Sequence, residues 1–261
     1  MTADGTYEAA AYLDVLEAEG ALLALTAQTS GLAGEVPFCP GWRMRELVTH
    51  VGWVYRWVAT VVGDRRTEPP TQAERSALSD PDPADDQGVL DRLRFAHATI
   101  VTMLRDAPPD LACWTPWPAP PSRDFWIRRQ VHESLVHRVD AQNAARGTVA
   151  GGDQLPAALA ADGVDEMICG FAVRYQQLRA DRPGTLALRA TDTGGSWWAR
   201  LTPDGPPAFG RGPAPGGAPE AEVHAAAGEL LLLLWNRRAA DGLDVRGDRD
   251  LLAAWRRGAH L

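Results

Sequence analysis

The sequence contains no lysine; all 26 of its basic residues are arginine. Schiff-base chemistry through a lysine amine is therefore excluded. Cysteine is scarce as well. Cys39, Cys113 and Cys169 are widely separated, odd in number and form no C-x-x-C pair. They read as reduced cytoplasmic thiols, which excludes a disulfide framework and a thiolate metal site. Long hydrophobic runs are missing: the longest, Leu230 to Trp235, falls far short of the ~20 residues a membrane-spanning helix needs. The first five residues carry neither a basic flank nor an apolar core, so no export signal is expected. Excess positive charge is absent too. A net charge of −8 and a pI near 5.3 argue against a nucleic-acid or other polyanion binder.

What is present suits a globular protein of more than one core. At 261 residues, 45% hydrophobic and 23% charged, the chain is long enough for two domains. Apolar residues recur at helical spacing over residues 7–29 (Leu13, Leu16, Leu22, Leu25) and 44–62 (Leu47, Val51, Val54, Val58). Further helices are predicted over 89–104 and 125–145, the former with Leu90, Leu93, His97, Ile100 and Leu104 in register. A Pro-, Asp- and Glu-rich stretch over 63–87 reads as a long surface loop with little fixed structure, and a Pro/Trp loop covers 106–122. Four helices joined in this way describe a bundle, a setting in which facing side chains build metal or ligand sites.

Residues 147–153 are a plausible boundary, giving domains 1–150 and 151–261. A helix over 156–178 is predicted next, and then the period changes. Residues 185–190 and 196–201 read as strands around the Gly194-Gly195 turn. Residues 202–219 form a Gly- and Pro-rich loop. A short strand at 220–225, a helix over 226–239, a strand at 243–246 and a final helix over 248–257 complete an α+β second domain.

The most informative segment is His132-Glu133-Ser134-Leu135-Val136-His137. Glu133 and His137 are four apart, so on a helix they share one face and can both reach one divalent ion. His132 points elsewhere, so this is not the H-E-x-x-H protease pattern; here the glutamate would be a ligand and not a base. A third ligand must come from another element, and His50 lies on or beside the apolar side of the second predicted helix. Two neutral histidines and one carboxylate leave a zinc-like ion an open position, as catalytic sites do. Spacing alone leaves other readings open. His50 fits a satisfied core histidine, and an E-x-x-x-H pair fits a surface ion pair. Asp140, three residues after His137, either orients that histidine or caps a solvent-facing turn.

Several blocks resemble the mycothiol-dependent maleylpyruvate isomerase family. Phe38-Cys39-Pro40-Gly41-Trp42-Arg43 through Gly52 resembles its first signature, and Arg128 through Ala141 its second. Ala160 through Glu166 is similar to the start of its C-terminal domain, and Glu229 through Arg238 with Gly242-Leu243 to that domain's last block. The four occur in order and span nearly the whole chain. The resemblance implies a DinB-like four-helix bundle followed by a sterol-carrier-like α+β domain, with His50, Glu133 and His137 on the family's zinc ligands. It also implies Zn2+ or another divalent metal and mycothiol as cofactors, for cis–trans isomerisation of, or S-transfer to, a small electrophile. A non-catalytic metal- or thiol-binding module and a metal-dependent hydrolase are the alternatives, since one fold supports several chemistries.

Other residues carry weaker expectations. Arg237 and Arg238 close the Leu-rich helix, where they either engage a substrate carboxylate or oppose the helix dipole. Trp53 and Trp57 follow His50 by three and seven residues and either wall a thiol-cofactor pocket or pack as core. Trp114, Trp117 and Trp126 are candidates for its mouth. Trp197-Trp198 in a strand place one ring on each face. Cys39 reads as a small buried residue at a helix entry. The expected partners are a small electrophile and a thiol cofactor, with no nucleic acid and no membrane, in a cytoplasmic monomer or homodimer.

Overall fold

The computed structural model describes residues 8–78, 83, 85–118, 121–147 and 151–259, and for residue 153 the backbone only. Its chain divides into two compact units, Met1–Ala150 and Gly151–Leu261. Among the described residues, no helix is long and apolar enough to cross a membrane.

The first unit is helical. Four long helices, α1 (Ala9–Ser30), α2 (Met44–Gly63), α4 (Asp86–Asp106) and α5 (Ser122–Arg146), pack as a bundle in which α1 and α2 each lie against both α4 and α5. The apolar register of α2 is as the spacing predicts: Leu47, Val51, Val54 and Val58 are buried. That of α1 differs. Leu13 and Leu16 are buried, but Leu22 and Leu25 are exposed, and Leu23 and Ala27 turn inward instead. The inward face passes through Gly20, where a Cβ would fall 2.2 Å from Nε2 of His97. Glycine there admits the α4 histidine, whose Nε2 reaches the Leu16 carbonyl at 3.1 Å. Helix α5 is buried on all sides through its middle, including Arg129, His132, His137 and Asp140, and stops at Gly147 with a left-handed φ of 64°.

The stretch 63–87 is not without structure. It holds a short helix, α3 (Gln72–Ala77), started by a reciprocal cap between Thr71 and Glu74. Arg66 pairs with Glu74 at 2.6 Å, and Trp53 donates its indole N–H to the Arg75 carbonyl at 3.3 Å. Residues 79–82 and 84 of this loop, 119–120 of the Pro/Trp loop and 148–150 of the boundary lie outside the described residues.

The second unit is a mixed sheet with helices. Strands β1 (Gly184–Ala190), β2 (Ser196–Leu201), β3 (Ala208–Arg211), β4 (Ala221–Ala225) and β5 (Asp244–Gly247) are ordered β3-β2-β1-β4-β5. The β1–β4 pair is parallel and the others antiparallel. Strand β3 lies inside the stretch expected to be loop. Helix α6 (Ala157–Cys169) ends nine residues before the predicted 178; at Gly170 the chain turns into a 3-10 segment, Phe171–Arg174, whose buried Phe171 and Ala172 prolong the apolar pattern without the helix. Helices α7 (Ala227–Leu234) and α8 (Arg249–Gly258) complete the unit. The leucine run is the buried core of α7, and Trp255 of α8 donates its indole N–H to the Leu234 carbonyl at 3.1 Å. As the period-2 pattern predicts, Trp197 is buried and Trp198 only half-buried; Trp197 donates to Asp165 at 3.1 Å.

Candidate metal centre

Helices α2 and α5 bring His50, Glu133 and His137 together. One ligand atom from each lies within 4.8 Å of the other two. Oε1 of Glu133 is 3.4 Å from Nε2 of His50 and 3.2 Å from Nε2 of His137. The two imidazole rings stand edge to face, 5.0 Å apart at 77°. Glu133 and His137 meet because four residues make one helical turn; His50 joins them because α2 packs on α5.

The outward atoms of His137 and Glu133 are engaged, and this aims their inward ones. His137 Nδ1 lies 3.0 Å from Oδ2 of Asp140, which is 1% exposed. Of the two roles open to Asp140, the structure shows the orienting one: its carboxylate accepts from Nδ1–H and leaves Nε2 facing Glu133. Oε2 of Glu133 accepts from Arg129 at 2.6 Å, leaving Oε1 for the histidines. The set has one open side, because the His50 side chain is 34% exposed, against 13% for Glu133 and 7% for His137.

These charges act on one another. Burial alone would push the Glu133 pKa up, but His137, His50 and Arg129 hold it well below the usual carboxylate range. Burial likewise opposes a charged His137, yet Asp140 and Glu133 raise it to about 9. The metal-free cluster therefore carries a proton that a cation would displace. Two imidazole nitrogens and one converging carboxylate oxygen are a donor set that suits a divalent ion such as Zn2+.

The other candidates are placed differently. Trp53 and Trp57 stack on each other at 6.1 Å, and Trp57 meets Trp114 and Trp126 edge to face. This is an aromatic cluster at the Pro/Trp loop, in which Trp126 is 1% exposed and Trp53, Trp57 and Trp114 are half-buried. The indole lying against a candidate ligand is Trp42, 5.0 Å from the His50 ring. Trp42 arrives on a tight loop in which Val36 N–H donates to the Trp42 carbonyl at 2.9 Å and Gly41 takes a φ of 82°. The same loop sets Cys39, half-buried and not fully buried as expected, 3.9 Å from Asp140 Oδ2. Sequence spacing passed over Trp42, which no periodicity marks. Arg129 was findable, since it stands four residues before Glu133.

Arg237 and Arg238 belong to the second unit and lie beyond the end of α7, which stops at Leu234, so neither sits in its last turn. Asn236, at a left-handed φ of 57°, turns the chain away first. Arg237 is buried and donates to the Trp235 carbonyl at 2.8 Å. Arg238 pairs with Glu229 and donates to the carbonyls of Ala239 and Asp241.

Comparison with known proteins agrees with the architecture. Residues 15–142 match a family model described as the mycothiol maleylpyruvate isomerase N-terminal domain, and residues 158–254 match the MDMPI C-terminal domain. Two solved structures resemble the chain: the mycothiol-dependent maleylpyruvate isomerase and a mutant of it with a histidine changed to alanine. Each gives a TM-score of 0.65 at 14% identity, covering 95% of this chain and 97% of the other. At that identity the likeness establishes the fold. No curated protein matches the chain.

Proposed function

Since the chain belongs to the mycothiol maleylpyruvate isomerase family, we propose that it is an enzyme holding a divalent metal, Zn2+ in the simplest case, on His50, Glu133 and His137. With that metal it would activate a low-molecular-weight thiol, mycothiol, for cis–trans isomerisation of, or S-transfer to, a small electrophile. The observation that carries the reading is the convergence of one carboxylate oxygen on two imidazole nitrogens from two helices.

Three protein donors are the number found in catalytic zinc sites; closed structural sites have four. A divalent ion held there would supply the Lewis acidity that lowers the pKa of a thiol, about 8.5 when free. The chain's own residues supply the rest. Asp140 holds the ring plane of His137 through Nδ1, so that Nε2 would offer its lone pair inward once a cation displaces its proton. Arg129 anchors the far oxygen of Glu133. The half-buried Trp42 lies against the His50 ring and covers one side of that donor. The exposed side of His50 is the way in for thiol and electrophile. No lysine is present to supply an amine nucleophile.

The test is zinc content after reconstitution and dialysis, followed by turnover with and without mycothiol. An electrophile panel would be read by adduct mass and by cis–trans conversion. Stoichiometric zinc with thiol-dependent turnover is the expected result. A chain that retains no zinc defeats the metal centre, zinc binding without turnover favours a binding module, and turnover without thiol favours hydrolysis by bound water.

A further inference from the structure

The two oxygens of Glu133 are treated differently. Oε1 faces both histidines, while Oε2 accepts a 2.6 Å charge-assisted hydrogen bond from Arg129, one turn earlier on α5. The Arg129 side chain is 6% exposed and that of Glu133 13%, so water does not compete effectively for this bond. A guanidinium keeps its charge at any working pH and presents its donors in a rigid fork. Oε2 is thereby held away from the point where the three donors meet.

We propose that Arg129 is a positioning residue that restricts Glu133 to one-oxygen ligation and so keeps a place at the metal open for the thiol. The inference rests on the reading of His50, Glu133 and His137 as a metal centre. A glutamate free to turn can bind a cation through both oxygens, and its second oxygen would take up the place the thiol needs. Charge works in the same direction. Counting Glu133 and Asp140 as carboxylates, Arg129 leaves a centre loaded with a divalent ion one net positive charge, which a thiolate neutralises. Without Arg129 the loaded centre is already neutral.

The experiment compares the full-length protein with Arg129→Met, which keeps the stem, and Arg129→Lys, which keeps the charge. Each is loaded with Co2+, and N-acetylcysteine serves as the thiol probe. The expected result for Arg129→Met is a weaker visible cobalt absorption, reporting a higher coordination number, and thiol affinity lowered about tenfold or more. The sulfur-to-cobalt charge-transfer band reads that affinity, and Arg129→Lys should recover most of it. A Met variant with the wild-type spectrum and a thiol affinity within about twofold overturns the assignment. Zinc-edge X-ray absorption on the wild-type protein decides the matter even if the variants do not fold: one-oxygen carboxylate ligation supports it and two-oxygen ligation overturns it. Wild-type protein that takes up no Co2+ removes the metal reading itself, a failure distinct from cobalt bound with Arg129 indifferent.

Discussion

Metal uptake at the proposed centre would have to displace a proton from His137. Burial favours the neutral imidazole, but Asp140 at 3.0 Å and Glu133 at 3.2 Å outweigh it and raise the pKa from 6.5 to about 9. Histidine ligates metal as the neutral ring. At pH 7, about two units below that pKa, the apparent zinc affinity is therefore about one-hundredth of its limiting value. It should rise about tenfold per pH unit from pH 7 and flatten near pH 9. Stability of the metal-free protein follows the opposite course. The folded pKa lies above the unfolded one, so the charged His137 stabilises fully below about pH 6.5, and this is lost as pH rises through about 9. The shift corresponds to at most about 3 kcal/mol. Glu133, with its pKa lowered, contributes above its unfolded value of 4.5 and loses that contribution on acidification. Zinc should therefore raise the melting temperature more at pH 9 than at pH 7. Competition against a chromogenic chelator at three pH values would read the affinity. Calorimetry in two buffers of different ionisation enthalpy would count about one proton released per zinc at pH 7. An affinity constant within about twofold from pH 7 to 9, with no proton release, would refute the reasoning.

Two further outcomes follow from the geometry. Asp140→Asn keeps the shape beside His137 but removes the carboxylate charge that faces Nδ1. Above about pH 9, where proton competition has ended, zinc affinity should drop about 10- to 100-fold; an unchanged chelator titration there would show that Asp140 is incidental. Gly152→Ala places a Cβ 2.2 Å from the Gly228 carbonyl carbon. It should destabilise the second unit by about 1–3 kcal/mol in denaturant while zinc affinity at the first unit holds, and a neutral substitution would mean that the backbone contact relaxes freely.

Legibility in the sequence followed range of interaction. The register of α2 and the Glu133–His137 turn are properties of neighbours three and four apart, and both stand out. Leu22 and Leu25 misled because α1 carries more apolar residues than its inward face needs; which ones turn in is decided by Gly20 meeting His97 across the bundle. Strand β3 was invisible because Ala208-Phe209-Gly210-Arg211 has no alternation of its own and is held by pairing with β2. Helix α6 was read too long because buried Phe171 and Ala172 continue an apolar pattern after the backbone has changed its winding at Gly170. At the site, the two α5 ligands came from spacing and Arg129 could have. Trp42 and Cys39 could not, since a tight loop delivers them and no period marks a loop.

Placing one candidate donor on α2 and two on α5 would make an ion held there selective for the assembled bundle. Roughly 80 residues separate His50 from Glu133, so an unfolded chain offers at best the weak two-point grip of a transient α5 turn. An ion bound only by the folded form adds its binding energy to stability, about 2.7 kcal/mol at a hundredfold excess over the dissociation constant. If the proposed centre is filled, metal occupancy would be a running measure of whether the two helices are docked. In a cell short of zinc, the same chains would open more often and reach proteases sooner.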